Sequence, residues 1–289
     1  MPGQMSLCIW DVEHGACATL AHRLNGAYGR LAMIDSGDAS DWRPSVHIRN
    51  RMGRTRLDYL FITNADQDHM SDLEGLWEAG IHVAVLHRNP HPSPADLRRI
   101  KLQGGPLSKD IERYLGMHGS YNQPVTEPFN DHMGGITART YFNSYPEFTD
   151  TNNLSCAVFI EYRGFKILFP GDLETDGWLA LLERADFRTE LASIDVLVAS
   201  HHGRENGYCP EVFDYCRPRA VVMSDKAIIH DTQQMARTYH YQVSKNHADG
   251  LLVATTMKRR HVLTTRRDGH IEFMVNDNGD FTITTECQG

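Results

Sequence analysis

Short apolar runs, separated by turn residues, recur along the whole chain. They are rich in β-branched and aromatic residues and too short for most helices, so they predict buried strands. We predict strands at residues 7–12, 16–22, 30–34, 57–63, 81–86, 136–142, 156–162, 165–169, 195–200 and 220–224, and near Leu251, His261 and Ile271. The tight turn at residues 13–15 predicts that the first two strands form a hairpin.

Helical periodicity appears between these strands. Leu73, Leu76 and Trp77 are spaced along one helical face, after an acidic first turn that suits the positive end of a helix. We predict helices at residues 70–79, 95–102, 108–115, 176–183, 210–215 and 231–239, and a short one that begins at Pro44. Because strands and helices recur in two similar halves, the pattern predicts an α/β fold with two sheets packed face to face and helices outside.

Residues 89–135 differ in character from the rest of the chain. They hold several prolines and glycines and two predicted helices, but no predicted strand. Such a segment is either a lid or binding element over a site, or a spacer that only covers the core, and the sequence leaves both interpretations open. No short repeat or low-complexity tail divides the chain, so we predict one domain over residues 1–289 with an insertion or lid at about 89–135.

Composition is ordinary for a globular protein. The 289 residues are 41% hydrophobic and 23% charged, and their formal net charge is −8. This charge argues against a protein that coats nucleic acid with its whole surface, but it is compatible with a local basic groove. The six cysteines show no CxxC pair, so we expect a reducing, cytoplasmic location. We expect neither a signal peptide nor a membrane segment.

Candidate metal ligands follow the predicted strands directly. Asp66, Asp68 and His69 come within four residues after strand 57–63. Asp172 follows strand 165–169, and the pair His201-His202 closes strand 195–200. Taken singly, each has a plain structural explanation as a turn residue, a helix cap or a hydrogen-bonded histidine. Together, carboxylates and imidazoles form the mixture that binds Zn, Mn or Fe.

An ordered series of motifs carries a resemblance to a known family. The motifs are Asp11-Val-Glu-His-Gly15, Ile34-Asp-Ser-Gly37, Thr63-Asn-Ala-Asp-Gln-Asp-His69, Asn153-Leu-Ser155, Pro170-Gly-Asp-Leu173 and Ser200-His-His-Gly203. In this order they resemble the metallo-β-lactamase superfamily, and most of all its ComEC/Rec2-like branch. The resemblance runs from about residue 5 to about residue 275 and includes a closing strand pair at residues 262–265 and 268–271. It implies an αββα sandwich, with two packed mixed sheets and one or two metal ions at the sheet edges.

The resemblance also implies a set of metal ligands. Asp68 and His69 match ligands of the second metal ion, Asp172 the bridging carboxylate, and either His201 or His202 the final ligand. Asp66 matches a ligand of the first metal ion. Asn64 stands where the family has a histidine. A second family histidine is also missing, and Asn153 and Ser155 stand in the motif where it would lie. The first site is therefore oxygen-rich, which favours Mn or Mg there, or a single-metal enzyme, whereas Zn or Mn suits the second.

The resemblance does not fix the reaction, because family members hydrolyse several kinds of bond. The ComEC-like pattern and the oxygen-rich first site favour a phosphodiesterase or nuclease, acting on nucleic acid or another phosphodiester. The alternatives are a hydrolase of a small ester, lactone or nucleotide, and a metal-poor, non-catalytic binding subunit that works beside a partner subunit. We expect no membrane partner. Asp68, His14 and His230 are the candidate catalytic residues, and Asn153, Ser155 and Arg204 the candidate substrate-binding residues.

Basic clusters could hold a polyanion. They lie at residues 49–56, 98–99, 258–260 and 266–267. Each is by itself more typical of a solvated surface than of a nucleic-acid groove. They become significant only if the fold brings two or more of them together near the metal site.

Overall fold

The computed structural model describes residues 3–226 and 234–287. In chain order its strands are β1 (Gln4–Ile9), β2 (Ala18–Leu24), β3 (Ala27–Ile34), β4 (Arg56–Phe61), β5 (His82–His87), β6 (Thr137–Phe142), β7 (Cys156–Tyr162), β8 (Phe165–Phe169), β9 (Val196–Val198), β10 (Ala220–Met223), β11 (Leu251–Val253), β12 (Lys258–Arg260), β13 (Val262–Thr264), β14 (Ile271–Asn276) and β15 (Phe281–Thr285). Every predicted strand is found, and the single strand predicted near His261 corresponds to two short strands, β12 and β13. β15 has no counterpart among the predictions.

The helices lie between the strands, as the periodicity predicts. They are α1 (Pro44–Val46), α2 (Leu73–Glu78), α3 (Pro94–Leu102), α4 (Lys109–Ser120), α5 (Phe129–His132), α6 (Thr175–Leu182), α7 (Ala185–Leu191), α8 (Val212–Tyr215), α9 (Ala236–Ser244) and α10 (Thr265–Asp268). The sequence did not predict α5, α7 or α10. The predicted helix at 231–239 lies partly outside the described residues, and α9 follows it. None of the helices in the described ranges is both long and apolar enough to cross a lipid bilayer.

The strands form two mixed sheets. The nine-stranded sheet has the order β12-β11-β15-β14-β1-β2-β3-β4-β5, and the six-stranded sheet the order β13-β10-β9-β8-β7-β6. The predicted closing strand pair is wrong, because β13 is parallel to β10 in the six-stranded sheet whereas β14 is antiparallel to β1 in the other. The short helix α10 carries the chain across between them. The sheet assignment could not be predicted from local sequence, since both segments are equally apolar.

Alternate side chains of a strand point to opposite faces of its sheet, and the apolar ones form three buried layers. On β7, Cys156, Val158 and Ile160 face the core between the sheets, while Ala157 and Phe159 face the helices on the other side. A third cluster packs α2, α3 and α4 against the outer face of the nine-stranded sheet. Helices therefore cover both sheets, and the architecture is the expected αββα sandwich. All six cysteines are free, and five of them are buried.

We expect the packing of α6 against the six-stranded sheet to contribute strongly to stability. Trp178 is 2% exposed, and its indole N–H donates to the Gly207 carbonyl at 3.2 Å. Trp178→Ala should lower the free energy of unfolding by about 3–5 kcal/mol, because it leaves a cavity that the sheet cannot fill. Urea unfolding followed by circular dichroism measures this change.

Trp77→Ala is the matched control, since Trp77 is 64% exposed and stacks on Arg113 at the surface. The Trp77→Ala variant should lose less than about 1 kcal/mol of the free energy of unfolding. Equal losses in the two variants would show that the α6 layer does not contribute as the burial indicates.

Candidate metal centre

Four side chains meet in one cluster, and we call Asp68, His69, Asp172 and His202 the quartet. One ligand atom of each lies within 4.8 Å of the other three. Nε2 of His69 is 3.1 Å from Oδ1 of Asp172. Nε2 of His202 is 3.2 Å from Oδ2 of Asp68 and 3.6 Å from Oδ1 of Asp172. The cluster is nearly enclosed, since only Asp68 is partly exposed.

Each member of the quartet follows the carboxyl end of a strand. Asp68 and His69 lie in a short helical turn after β4, Asp172 follows β8, and His202 lies in a turn after β9. Backbone hydrogen bonds from two other loops fix the loop after β4. The Ala16 N–H donates to the Asp68 carbonyl at 3.2 Å, and the Ser36 N–H donates to the His69 carbonyl at 2.8 Å. The two packed sheets thus bring three distant parts of the chain to one rim.

His201 and His202 have an unusual backbone. Their φ angles are 50° and 55°, in the left-handed region that non-glycine residues adopt only when the surrounding structure requires it. The two side chains consequently differ in environment. His202 points its Nε2 into the quartet, while Nδ1 of His201 lies 3.6 Å from Oε1 of Glu174. Of the two histidines that the sequence left open, the structure places His202 in the cluster.

Further contacts fix the orientation of both quartet histidines. Nδ1 of His69 lies 2.9 Å from Oδ2 of Asp35, and Nδ1 of His202 lies 3.1 Å from the Ser224 carbonyl. Both partners are acceptors, so each imidazole donates from Nδ1 and turns the lone pair of Nε2 toward the quartet. Asp172 is fixed through its backbone, whose N–H donates to Oγ of Ser155 at 3.0 Å.

The quartet fits a divalent metal ion. Nε2 of His69, Nε2 of His202 and Oδ1 of Asp172 are buried and have no hydrogen-bond partner among the described residues. Their mutual contacts are close, but they are not aligned as hydrogen bonds. Buried acceptors without partners are costly unless a cation or a donor occupies the space between them. Two imidazoles and two carboxylates are ligands that suit Zn, Mn or Fe.

The carboxylates and imidazoles of the quartet shift one another's pKa values toward their charged forms. Burial acts to lower the pKa of His69, but the carboxylates of Asp172 and Asp35 outweigh it and raise that pKa well above its usual value. Burial acts to raise the pKa of Asp172, and the nearby histidines, His69 first, outweigh it and lower that pKa. Without a metal ion, protons on the histidines therefore balance the carboxylates. A metal ion and these protons compete for the same atoms.

His14 and Arg204 border the quartet on its exposed side. Nε2 of His14 is 3.3 Å from Oδ2 of Asp68, and a guanidinium nitrogen of Arg204 donates to the same Nε2 at 3.1 Å. Burial, and then the charge of His202, lower the pKa of His14 to about 4, so the ring is neutral at neutral pH. A neutral acceptor thus holds a permanent cation at the edge of the site. His230, the other candidate catalytic residue, lies outside the described residues.

The sequence of this region decides the family. Residues 24–203, which include every quartet member, match the family described as the metallo-beta-lactamase superfamily. The chain belongs to the metallo-β-lactamase superfamily. No curated protein is significantly similar to it in sequence.

Several solved structures resemble this superfamily chain loosely. A protein of Parabacteroides distasonis ATCC 8503, provisionally assigned as a metal-dependent hydrolase, is 11% identical, with a TM-score of 0.43 over 90% of this chain and 93% of that one. A variant of CmlA β-hydroxylase is 14% identical, with a TM-score of 0.45 over 83% of this chain and 51% of that one. A diphosphatase from the PhnP family is 11% identical, with a TM-score of 0.41 over 94% and 98%. These scores describe a loose likeness of shape, and membership of the superfamily rests on the sequence match.

The other half of the superfamily site differs from the quartet. Both carboxylate oxygens of Asp66 lie 3.0 Å from the Thr151 hydroxyl, and Oδ1 also accepts from the ammonium group of Lys101. The amide of Asn64 donates to Asp66 at 3.3 Å and to Asn152 at 3.1 Å, while its own Oδ1 is buried without a partner in the described part of the chain. Asp66 and Asn64 thus form a hydrogen-bonded network with a cation already in it.

Asn153 and Ser155 have structural contacts. Oδ1 of Asn153 accepts from the backbone N–H groups of Glu174 and Gly177, at the start of α6, and Ser155 accepts from Asp172. These contacts set the position of the loop after β8. A direct contact of either residue with a substrate stays a prediction.

Sequence reasoning missed three residues that complete this site: Asp35, Ser224 and Lys101. Asp35 lies in the motif at residues 34–37, which could have suggested a role. Ser224 contributes only a backbone carbonyl, which no residue type reveals. Lys101 lies on α3 within the insertion, and nothing local relates it to Asp66, which is 35 positions away.

We expect Asp35 to control the affinity of the quartet for a metal ion. Asp35→Ala removes the acceptor at Nδ1 of His69 and frees the ring to change its tautomer and orientation. The affinity for Mn²⁺ or Zn²⁺ should fall about 10–100-fold. Isothermal titration calorimetry of the metal-free protein measures this loss.

Asp58→Ala is the control, because Asp58 is also buried but accepts from the Leu31 N–H near the opposite end of β4. It should lower stability and leave metal affinity unchanged. If both variants lost affinity equally, a general loosening of the sheet, and not the His69 contact, would be responsible.

Proposed function

We propose that this chain is a metal-dependent phosphodiesterase that acts on nucleic acid, in the manner of the ComEC/Rec2-like branch. The superfamily and the quartet support a metal-dependent hydrolase. The preference for a phosphodiester rests on one further observation, which is an arginine-rich depression next to the quartet. This arrangement joins hydrolytic chemistry to a surface that suits a polyanion.

The arginine depression is a concave surface with a volume of about 370 Å³. It combines two clusters that are separate in sequence, at residues 258–260 and 266–267, with the exposed face of α9. Its charged and titratable lining consists of Arg237, His240, Arg259, Arg260, His261, Arg266 and Arg267. Arg237 and Arg267 are exposed and form no ion pair with any described residue. Arg260 and Arg266 are paired with Asp268 and Asp225, so the positive charge available to a polyanion comes mainly from Arg237, Arg259 and Arg267.

Two residues connect the depression to the quartet. Arg266 is 2.9 Å from Oδ2 of Asp225, and the neighbouring Ser224 accepts from His202 through its carbonyl. The backbone N–H of Asp225 also donates to Thr265, the first residue of α10. A strand of nucleic acid in the depression would therefore lie beside residues that contact the segment holding His202.

Arg54, Arg56, Arg98 and Arg99, which belong to the other basic clusters, are already held by partners within the chain. Arg54 binds backbone carbonyls of the β2–β3 hairpin, and Arg56 forms ion pairs with Asp58 and Glu127 at the start of β4. The quartet lies at the opposite end of that strand, about 20 Å away at 3.3 Å per residue. Arg98 and Arg99 are paired with Glu112 and Asp96.

Four residues around the quartet have positions that suit a role in hydrolysis. Asp35 and Ser224 hold the two quartet imidazoles so that Nε2 of each faces the metal position. When a divalent ion is bound there, the pKa of its water molecule falls toward about 7, which supplies hydroxide at neutral pH. Arg204, held by His14, presents its guanidinium beside Asp68, where it can bind an anionic oxygen of the phosphodiester.

The further parts of this proposal concern the insertion and the location. Residues 89–135 act as the binding element or lid of a single-domain enzyme, and the free cysteines suit a cytoplasmic location. A hydrolase of a small ester, lactone or nucleotide would need an enclosed pocket. The cavity that borders Asn64 measures only about 10 Å³, which is room for about one water molecule.

We expect His202→Ala and His201→Ala to differ sharply in activity, although the residues are neighbours. His202 belongs to the quartet, so its loss should reduce Mn²⁺-stimulated cleavage of a DNA oligonucleotide or bis(p-nitrophenyl) phosphate by more than about 10³-fold. His201→Ala should keep activity within about tenfold of wild type. Addition of a chelator should abolish wild-type activity, and Mn²⁺ should restore it.

Wild-type-like cleavage by His202→Ala would contradict the assignment of the quartet. A wild type that binds metal but cleaves esters or lactones and no phosphodiester would favour the small-molecule alternative. A folded wild type that takes up no metal would favour the non-catalytic binding subunit.

We expect Arg267→Ala to weaken nucleic-acid binding in a salt-dependent way. Loss of one phosphate contact should reduce the slope of log K against log salt by about one, without changing sequence preference. Fluorescence anisotropy with labelled DNA, measured without metal to prevent cleavage, gives this slope. Arg56→Ala removes the same charge at the far end of β4 and should leave the slope unchanged. Equal effects of the two variants would exclude the arginine depression as the binding surface.

A further inference from the structure

Lys101 occupies a defined position next to the metal centre. It lies in the last turn of α3, and this helix is anchored by the buried side chain of Leu97 and by an ion pair from Arg98 to Glu112 on α4. The Lys101 side chain is only 20% exposed, and its ammonium group contacts Oδ1 of Asp66. The insertion thus delivers one positive charge to the carboxylate that the superfamily resemblance assigns to the first metal ion.

Three donors surround the carboxylate of Asp66. Lys101 donates to one oxygen, Asn64 to the other, and the Thr151 hydroxyl lies 3.0 Å from both. A carboxylate accepts about four hydrogen bonds in all, so little capacity is left for a metal ion. In the quartet the reverse holds, because Nε2 of both histidines and one oxygen of Asp172 have no partner among the described residues. The quartet therefore has free ligand atoms for a metal ion, whereas Asp66 has few.

One departure from the superfamily pattern, at Asn64, agrees with this contact. Asn64 replaces a histidine, which removes a strong ligand for a transition metal. Lys101 contributes a cation, which repels a divalent ion at the same carboxylate. A weakened ligand set and an internal positive charge are both expected if no metal ion has to bind at Asp66.

We propose that the Lys101 ammonium group replaces the first metal ion, so that the chain binds one divalent ion in the quartet and uses Lys101 as its second positive charge. This inference rests on the proposed function, since it takes the quartet as the metal centre and an anionic phosphodiester as the substrate. Lys101 then binds an anionic oxygen of the substrate. The reaction itself needs no component beyond water and the single ion.

The number of bound metal ions tests the proposal without any substrate. Wild type, Asn64→His, Asn64→His/Lys101→Met and Asn64→His/Lys101→Arg are saturated with Mn²⁺, and the equivalents per chain are measured by calorimetry and elemental analysis. We expect one equivalent in wild type and in Asn64→His, because Lys101 still holds Asp66. The Lys101→Met double variant should bind two, and the Lys101→Arg double variant should return to one. Asn64→His/Lys109→Met is the matched control, because Lys109 is an exposed lysine of the same insertion, and it should bind one.

Two equivalents in wild type or in Asn64→His alone would overturn the proposal. Oδ1 of Asn64 and Nδ1 of His201, both buried without partners in the described ranges, would then be the atoms available to a second ion. One equivalent in the Lys101→Met double variant would also overturn it, because Lys101 would not be what excludes the ion. Unfolding curves of each variant confirm that the counts refer to folded protein.

Activity provides a second, independent measurement. Lys101→Met alone should lower kcat toward bis(p-nitrophenyl) phosphate by about 10²–10³-fold, and Lys101→Arg should keep most of it. Unchanged kcat in Lys101→Met would contradict the proposed contact with substrate. If wild type binds one metal ion but cleaves no phosphodiester, the proposed substrate fails while the metal count still stands. If wild type binds no metal at all, both proposals fail.

Discussion

The packing of the two sheets through their inner faces determines the geometry of everything else in this protein. Alternate apolar residues of both sheets fill one continuous core, and this contact fixes the distance between strand ends that belong to different sheets. Asp68 and His69 come from the end of β4 in one sheet, and Asp172 and His202 from the ends of β8 and β9 in the other. The metal centre is therefore a property of the interface between the sheets, and neither sheet contains it alone.

The sequence predicts local features well and long-range ones poorly. Most strands are visible as apolar runs, and Asp68, His69 and Asp172 stand out because they follow such runs directly. Which sheet β13 and β14 join depends on partners far away in the sequence, so a local pattern could not decide it. His201 and His202 are adjacent and chemically identical, and only the fold determines that His202 faces the quartet while His201 lies near Glu174. The contact between the insertion and Asp66 has no sequence signal at all.

The two halves of the site neutralise charge by different means. In the quartet, buried carboxylates face imidazoles, and their balance changes with protons or a metal ion. At Asp66, a lysine from a separate helix and two neutral donors provide a permanent balance. A residue that carries its charge covalently cannot be lost to dilution or chelation, whereas an ion can. Conversely, a lysine carries one charge and an ion two, so the two solutions differ in strength as well as in permanence.

The pairing of β1 with β14 has a consequence for how the molecule forms. Met5 lies opposite Val275, so the nine-stranded sheet joins segments that are about 270 residues apart in the chain. During synthesis from the N-terminus, β1–β3 can pair early, but the edge of β1 stays open until β14 emerges. All six strands of the other sheet have been synthesised by then, because β13 precedes β14 in the chain. Contacts of such long range make folding slow and leave an exposed strand edge in the meantime. The pairing of β1 with β14 is therefore a late step in assembly of the nine-stranded sheet.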